Sequence, residues 1–153
     1  MTTIETTERD MADTRLNVAP TAKVTGLRML ATGMSAPSNE VVNEDLAKLG
    51  CDSDWIVQRT GILARRHIST DEATSDMALE ACRNCLEMAG VDPTEVDFII
   101  VCTMTPDHPC PTTSCQLQHR LGCRHIGAVD INAACSGFIY GLVMGAQFIR
   151  TGA

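Results

Sequence analysis

The run Phe98-Ile99-Ile100-Val101-Cys102-Thr103-Met104 constrains the fold more than any other stretch of this chain. It is nearly continuous in apolar and β-favouring residues, the pattern of a strand covered on both faces. Helical and strand patterns alternate around it. Thr74 or Ser75 opens the clearest helix, with Ala78, Ala81, Cys82, Cys85, Met88 and Ala89 at helical spacing and Gly90 as its stop. A second helix is predicted over residues 112–121, stopped by Gly122, after a loop holding Pro106, Pro109 and Pro111. Residues 127–131 read as another strand and residues 135–150 as a last helix. Strands alternating with helices imply an α/β layered fold with a mixed, largely parallel central sheet and helices on both faces.

Residues 1–22 are polar, rich in Thr, Asp and Glu, and lack a hydrophobic period, so they read as a disordered leader. The remainder, 23–153, reads as one domain. A strand-like run over residues 23–32 precedes the turn-rich Gly33-Met34-Ser35-Ala36-Pro37-Ser38. Asn39 or Asn43 is placed to cap a short helix through Leu49, which Gly50 stops. Asp52-Ser53-Asp54 puts capping side chains and negative charge ahead of Trp55-Ile56-Val57-Gln58-Arg59, a further short helix ended by Gly61. Residues 65–68 read as a short strand.

Charge and cysteine usage exclude several classes. Twelve basic against nineteen acidic residues give a net charge of −7, and no run of Lys and Arg supplies the basic face that a nucleic-acid binder needs. No apolar stretch approaches the roughly 20 residues of a membrane helix, and nothing resembles a signal peptide. The expected location is cytoplasmic, where the eight cysteines would stay reduced and pack as small hydrophobes. Cys82-Arg83-Asn84-Cys85 has C-x-x-C spacing, but no second pair accompanies it and both thiols fall on the buried stripe of a helix, so no metal site is expected. Cys102, Cys115 and Cys123 read as core filler. Phosphate-loop strings are absent, and the acids cluster in the leader and at helix starts, where capping explains them.

The segment that carries chemistry is Asp130-Ile131-Asn132-Ala133-Ala134-Cys135-Ser136-Gly137-Phe138. A strand leads through small residues to a cysteine, and an apolar helix follows. Unpaired N–H groups and the positive end of the macrodipole would favour a Cys135 thiolate there. The same amides would stabilise an oxyanion during attack on a thioester. Phe138, Ile139, Leu142, Val143, Ala146 and Ile149 make the helix apolar around most of its circumference, so burial is expected. Such a helix aiming a thiol at a pocket suits covalent acyl transfer; by spacing alone, a core cysteine is the competing reading.

Several separated segments resemble the N-terminal half of β-ketoacyl-[acyl-carrier-protein] synthase III, a thiolase-fold condensing enzyme. They are Asp54-Trp55-Ile56-Val57-Gln58-Arg59-Thr60-Gly61-Ile62, Arg65-Arg66-His67-Ile68, Asp97-Phe98-Ile99-Ile100-Val101, Cys115-Gln116-Leu117-Gln118 and Ala133-Ala134-Cys135-Ser136-Gly137-Phe138, in the family's order. The resemblance implies a thiolase-like layered fold. Cys135 would take an acyl group from acyl-CoA as a thioester, and malonyl-[acyl-carrier-protein] would then condense with it after losing CO₂. Acyl-CoA is thus a substrate, and no further cofactor is implied. Trp55 and Arg59 match residues that hold the adenine end of CoA. Cys110, just before Pro111, stands where the family often carries a bulky aromatic that bounds the acyl pocket, so a roomier pocket is expected. The resemblance also implies a homodimer of the full-length form.

The family's catalytic His and Asn lie in its C-terminal half, and none of His67, His108, His119 or His125 matches that His. A fragment or truncated product is therefore expected, with an apolar face left uncovered. The alternative to an acyltransferase is a non-catalytic half-fold module, or a subunit needing a complementary chain.

Overall fold

The computed structural model describes residues 26–50 and 52–152. The expected leader, 1–22, lies outside the described residues. The apolar run at 98–102 forms the strand β3 (Phe98–Cys102), which pairs in parallel with β4 (Gly127–Ile131), Phe98 opposite Gly127 and Cys102 opposite Ile131. Alternation along the strands sends Ile99, Val101 and Ala128 to one side, against α2 (Thr74–Ala89) and α3 (Thr113–Leu121). Leu79, Ile99, Val101 and Leu117 form the buried core there, and Ala78, Leu121, Cys123 and Ile126 pack around it.

The other face of β3 carries Phe98, Ile100 and Cys102 and meets α4 (Gly137–Thr151). Glycines spaced four apart let this helix sit close. A Cβ added at Gly141 would lie 2.6 Å from Cys102 Sγ, and one at Gly145 would lie 3.7 Å from Ile100 Cδ1. Phe148 closes the lower end, its ring 4.8 Å from that of Phe98. Helices thus cover both faces of the parallel pair, as the unbroken hydrophobicity of β3 requires. Local chemistry sets the helix ends. Asp52 accepts the Trp55 N–H at 2.7 Å to open α1 (Ser53–Thr60), and Gly61 ends it at φ 70°, a conformation that a Cβ disfavours.

Three stretches differ from the sequence reading. Residues 39–42 are not helical: β1 (Asn39–Val42) pairs antiparallel with β2 (Ala64–His67), and only Asn43–Leu49 turns, as a 3-10 helix. The β-branched pair Val41-Val42 favours extension. Asn43 is no cap either. It is buried, donating from Nδ2 to the Ile62 carbonyl at 2.9 Å and accepting from Arg65 at 2.6 Å, so it bridges the two strands from within. Residues 26–32 form no strand, because none of the described residues offers that segment a ladder partner. Lastly, α4 is not buried around its circumference. Phe138, Ile139, Tyr140, Leu142, Val143 and Ile149 are all exposed, while Gly137 and Gly141 face the sheet. Leu27 and Met29 line a cavity with Leu142 and Val143 of α4, and Arg124 and Ile126 line another with Phe148 and Ile149. Among the described residues, α4 thus leaves an apolar face exposed, as the sequence reading expects. No helix among the described residues is long and apolar enough to cross a membrane.

Gly33 ties the N-terminal segment to α2. A Cβ there would lie 2.0 Å from the Ala81 carbonyl oxygen and 2.6 Å from the Cys85 nitrogen, both backbone atoms that cannot turn aside. Ser35 and the Met34 carbonyl flank it, bonded to Glu80 at 2.7 Å and Asn84 at 3.0 Å. Gly33→Ala is expected to destabilise the fold by about 1–3 kcal/mol, the usual cost of overpacking, read as a lowered midpoint in thermal unfolding.

Candidate active site

Both strands of the parallel pair run the same way, so the loop after β3 and the turn after β4 leave from one end of the sheet. That end is where open α/β sheets place ligands. Cys135 lies on the second of these connections. It occupies a 3-10 turn, Ala134–Ser136, wedged between the end of β4 and the first residue of α4, Gly137. The expected helix start at Cys135 is therefore two residues later. Ser136 N–H donates to the Ala133 carbonyl at 3.0 Å and closes the turn. Ala134 takes φ 45°, a left-handed conformation unusual outside glycine, which swings the chain from strand direction into helix direction. The result is a sharp elbow that leaves Cys135 exposed at its outer bend.

Cys110 lies on the first connection, exposed near the tip of the loop 103–112, next to Pro111. Trp55 and Arg59 meet each other on α1, where the guanidinium carbon stands 5.3 Å from the centre of the indole ring and Trp55 remains 48% exposed. The fold thus gathers Cys135 and Cys110 at one end of the β3–β4 pair and sets Trp55 and Arg59 together on the separate β1–β2 unit.

The other cysteines divide. Burial, then the neighbouring Cys85 and Cys123, pushes the Cys82 thiol up, which suits packing and not metal ligation. Burial pushes Cys123 up as well. Cys102 packs beneath α4, as expected of filler, but Cys115 is exposed on α3 and fills nothing.

Sequence reasoning missed the polar network at this end of the sheet, in which partly buried carboxylates serve the buried Ser75, Thr113 and Ser114. Asp130, inside β4, accepts the Ser114 N–H at 2.8 Å and the Thr113 N–H at 2.9 Å, and so occupies the N-terminus of α3. Asp107 accepts the Ser75 N–H at 3.0 Å at the start of α2, and its own N–H donates to Thr113 Oγ1 at 3.3 Å. Arg120 completes the group with bonds to Ser75 Oγ at 2.7 Å and to Asp76 at 2.6 Å. A carboxylate in the middle of an otherwise apolar strand was the available signal. Partial burial pushes the Asp130 carboxyl up, but the hydrogen bonds from Ser114 and Thr113 together outweigh it and hold it below the usual carboxylate range. A carboxyl with a depressed folded-state pKa stabilises above its unfolded value, about 3.9, and that contribution is lost as pH falls through the folded value. Unfolding free energy measured against pH should therefore drop on the acid side more steeply than in Asp130→Asn.

Residues 56–153 match the family model described as the N-terminal domain of thiolase. The chain is 58% identical over 127 residues to a β-ketoacyl-[acyl-carrier-protein] synthase III from Rhodopirellula baltica, covering 83% of this chain and 36% of that protein. Among solved structures, 3-oxoacyl-[acyl-carrier-protein] synthase III from Aquifex aeolicus superposes with a TM-score of 0.74 at 41% identity, over 80% of this chain and 40% of that one. The priming β-ketosynthase of the R1128 polyketide pathway also gives a TM-score of 0.74, at 37% identity, over 83% of this chain and 41% of the other. The chain therefore spans about two fifths of the length of these relatives. With the parallel pair, the small-residue elbow and the family match in agreement, the chain belongs to the thiolase family through its N-terminal domain, and it is similar to the N-terminal part of β-ketoacyl-[acyl-carrier-protein] synthase III enzymes.

Proposed function

We propose that this chain supplies the nucleophile of a β-ketoacyl-[acyl-carrier-protein] synthase III: Cys135 accepts an acyl group from acyl-CoA and presents it for decarboxylative condensation with malonyl-[acyl-carrier-protein]. The observation that carries the proposal is the elbow after β4, which exposes a cysteine beside the start of a fifteen-residue helix. In the first half-reaction the Cys135 sulfur bonds to the thioester carbonyl carbon, and the tetrahedral oxyanion collapses with departure of the CoA thiolate. Small residues on either side, Ala133, Ala134, Ser136 and Gly137, leave room for the acyl carbonyl near the helix amides. The second half-reaction draws on groups in the relatives' remaining length.

Trp55 and Arg59 are the proposed grip on the adenine end of CoA. A half-exposed indole with a guanidinium over its ring offers a stacking surface and a phosphate partner on one helix. Trp55→Ala is expected to raise KM for acyl-CoA about tenfold, the loss of a stacking contact worth somewhat over 1 kcal/mol, with kcat little changed. Cys110 is the proposed wall of the acyl pocket. Its small, exposed side chain supports acceptance of starters longer than acetyl. A homodimer of the complete protein and a cytoplasmic location complete the reading.

The test is incubation with labelled acetyl-CoA, with and without the C-terminal portion of a synthase III, followed by peptide mass analysis. Label on the peptide containing Cys135 supports the proposal. No label under either condition favours a non-catalytic module instead.

A further inference from the structure

We propose that Asp130 and Asp107 act as a paired clamp that fixes both ends of the loop 103–112 relative to the Cys135 elbow, making Asp130 a positioning residue for acyl-group selection. The inference rests on the acyltransfer reading above and adds to it the part that sets the pocket wall.

The loop is tethered along its first half, 103–107, and again where it enters α3, and the exposed stretch 108–111 lies between. At the first end, Thr103 N–H donates to the Ile131 carbonyl at 3.1 Å, four residues before Cys135, and Thr74 Oγ1 donates to the Thr105 carbonyl at 2.6 Å. Asp107 then takes the Ser75 N–H at 3.0 Å. At the second end, Asp130 takes the Thr113 and Ser114 N–H groups at 2.9 and 2.8 Å, and Thr113 Oγ1 returns a bond to the Asp107 N–H at 3.3 Å. Thr113 and Ser114 are fully buried, so these donors have no water to fall back on. Between the two ends, His108, Pro109, Cys110 and Pro111 are exposed, and their position follows from the anchors on either side.

Geometry makes Asp130 the hinge of this arrangement. It lies on β4, five residues before Cys135, and its two oxygens are each engaged at the start of α3, directly after the loop. One carboxylate therefore couples the strand that carries the nucleophile to the loop that carries Cys110. An amide in its place keeps the size but has only one accepting oxygen, so one of the two buried N–H groups would face a donor.

The experiment measures acylation of Cys135 by acetyl-CoA and by octanoyl-CoA, and amide exchange over residues 107–114, in the unaltered protein, Asp130→Asn and Asp107→Ala, with the same complementary C-terminal portion present throughout. The clamp predicts that both variants exchange faster over the loop and shift the octanoyl-to-acetyl rate ratio several-fold in the same direction. A role in stability alone would slow both acyl groups equally. An unchanged ratio in the folded variants would overturn the proposal. Should Asp130→Asn fail to fold, Asp107→Ala carries the test, since α2 keeps the Asp76 bond to the Ala73 N–H at 2.8 Å. Loop exchange unaltered by either substitution overturns the clamp whether or not acylation occurs, whereas absence of acylation in the unaltered protein strikes the function proposed for Cys135.

Discussion

Cys135→Ser is expected to abolish acyl-adduct formation while leaving the fold in place. Serine matches cysteine closely in size, and the site is exposed, so the substitution creates no cavity and buries no new polar group. What changes is the nucleophile. An unassisted hydroxyl is a far weaker nucleophile than a thiolate, and none of the side-chain hydrogen bonds found among the described residues gives position 135 a general base. A fall of at least about a thousandfold in acylation rate is the scale expected on removing the group that bonds covalently to substrate. Intact-mass kinetics with acetyl-CoA read it directly, and circular dichroism of the same samples reads the fold. Equal labelling of the two proteins would move the nucleophile elsewhere, with exposed Cys110 and Cys115 the first thiols to test.

The largest stability effect should come from Leu117→Ala. Leu117 is 1% exposed, on the face of α3 that meets Ile99 and Val101 of β3 and Leu79 of α2. Truncation there removes apolar atoms and leaves a void within the cluster of Leu79, Ile99 and Val101. The expected loss is about 2–5 kcal/mol, a large part of what a single domain has in reserve. Urea unfolding gives the number. A loss below about 1 kcal/mol would mean that α3 does not seat on the sheet as described.

Much of this arrangement could be read along the chain because the signals are local. Asp52, Gly61, Gly90 and Gly122 determine the limits of α1, α2 and α3 through contacts within a turn or two. The unbroken apolar run of β3 foretells cover on both faces without naming what provides it. The turn around Cys135 was legible for a similar reason, since small residues between a strand and a helix permit a tight change of direction, although the helix starts at Gly137, two residues later than read. The failures are long-range. Asn43 looks like a helix cap until Ile62 and Arg65, some twenty residues on, claim its amide, and a capping asparagine and a bridging one are the same letter. Asp130 acts on amides sixteen and seventeen residues earlier in the chain, so no nearby pattern announces it. The exposure of α4 is a matter of what lies over it, which the helix's own apolar residues do not specify.

The twist at Ala134 has an implication for inheritance. A side chain in that left-handed conformation costs about 1 kcal/mol or more, so the bend is held against the residue's own preference. Lineages drifting at this codon face a choice between relaxing the bend and keeping its aim. Glycine would relax the kink but loosen the aim of the sulfur, whereas alanine keeps the aim and lives with the tension. Valine, isoleucine and threonine are closed off, since branching at Cβ compounds the penalty beside the reacting atom. Variation among descendants of this gene should therefore be narrow one residue ahead of the thiol as well as at the thiol itself, although Ala134 performs no chemistry of its own.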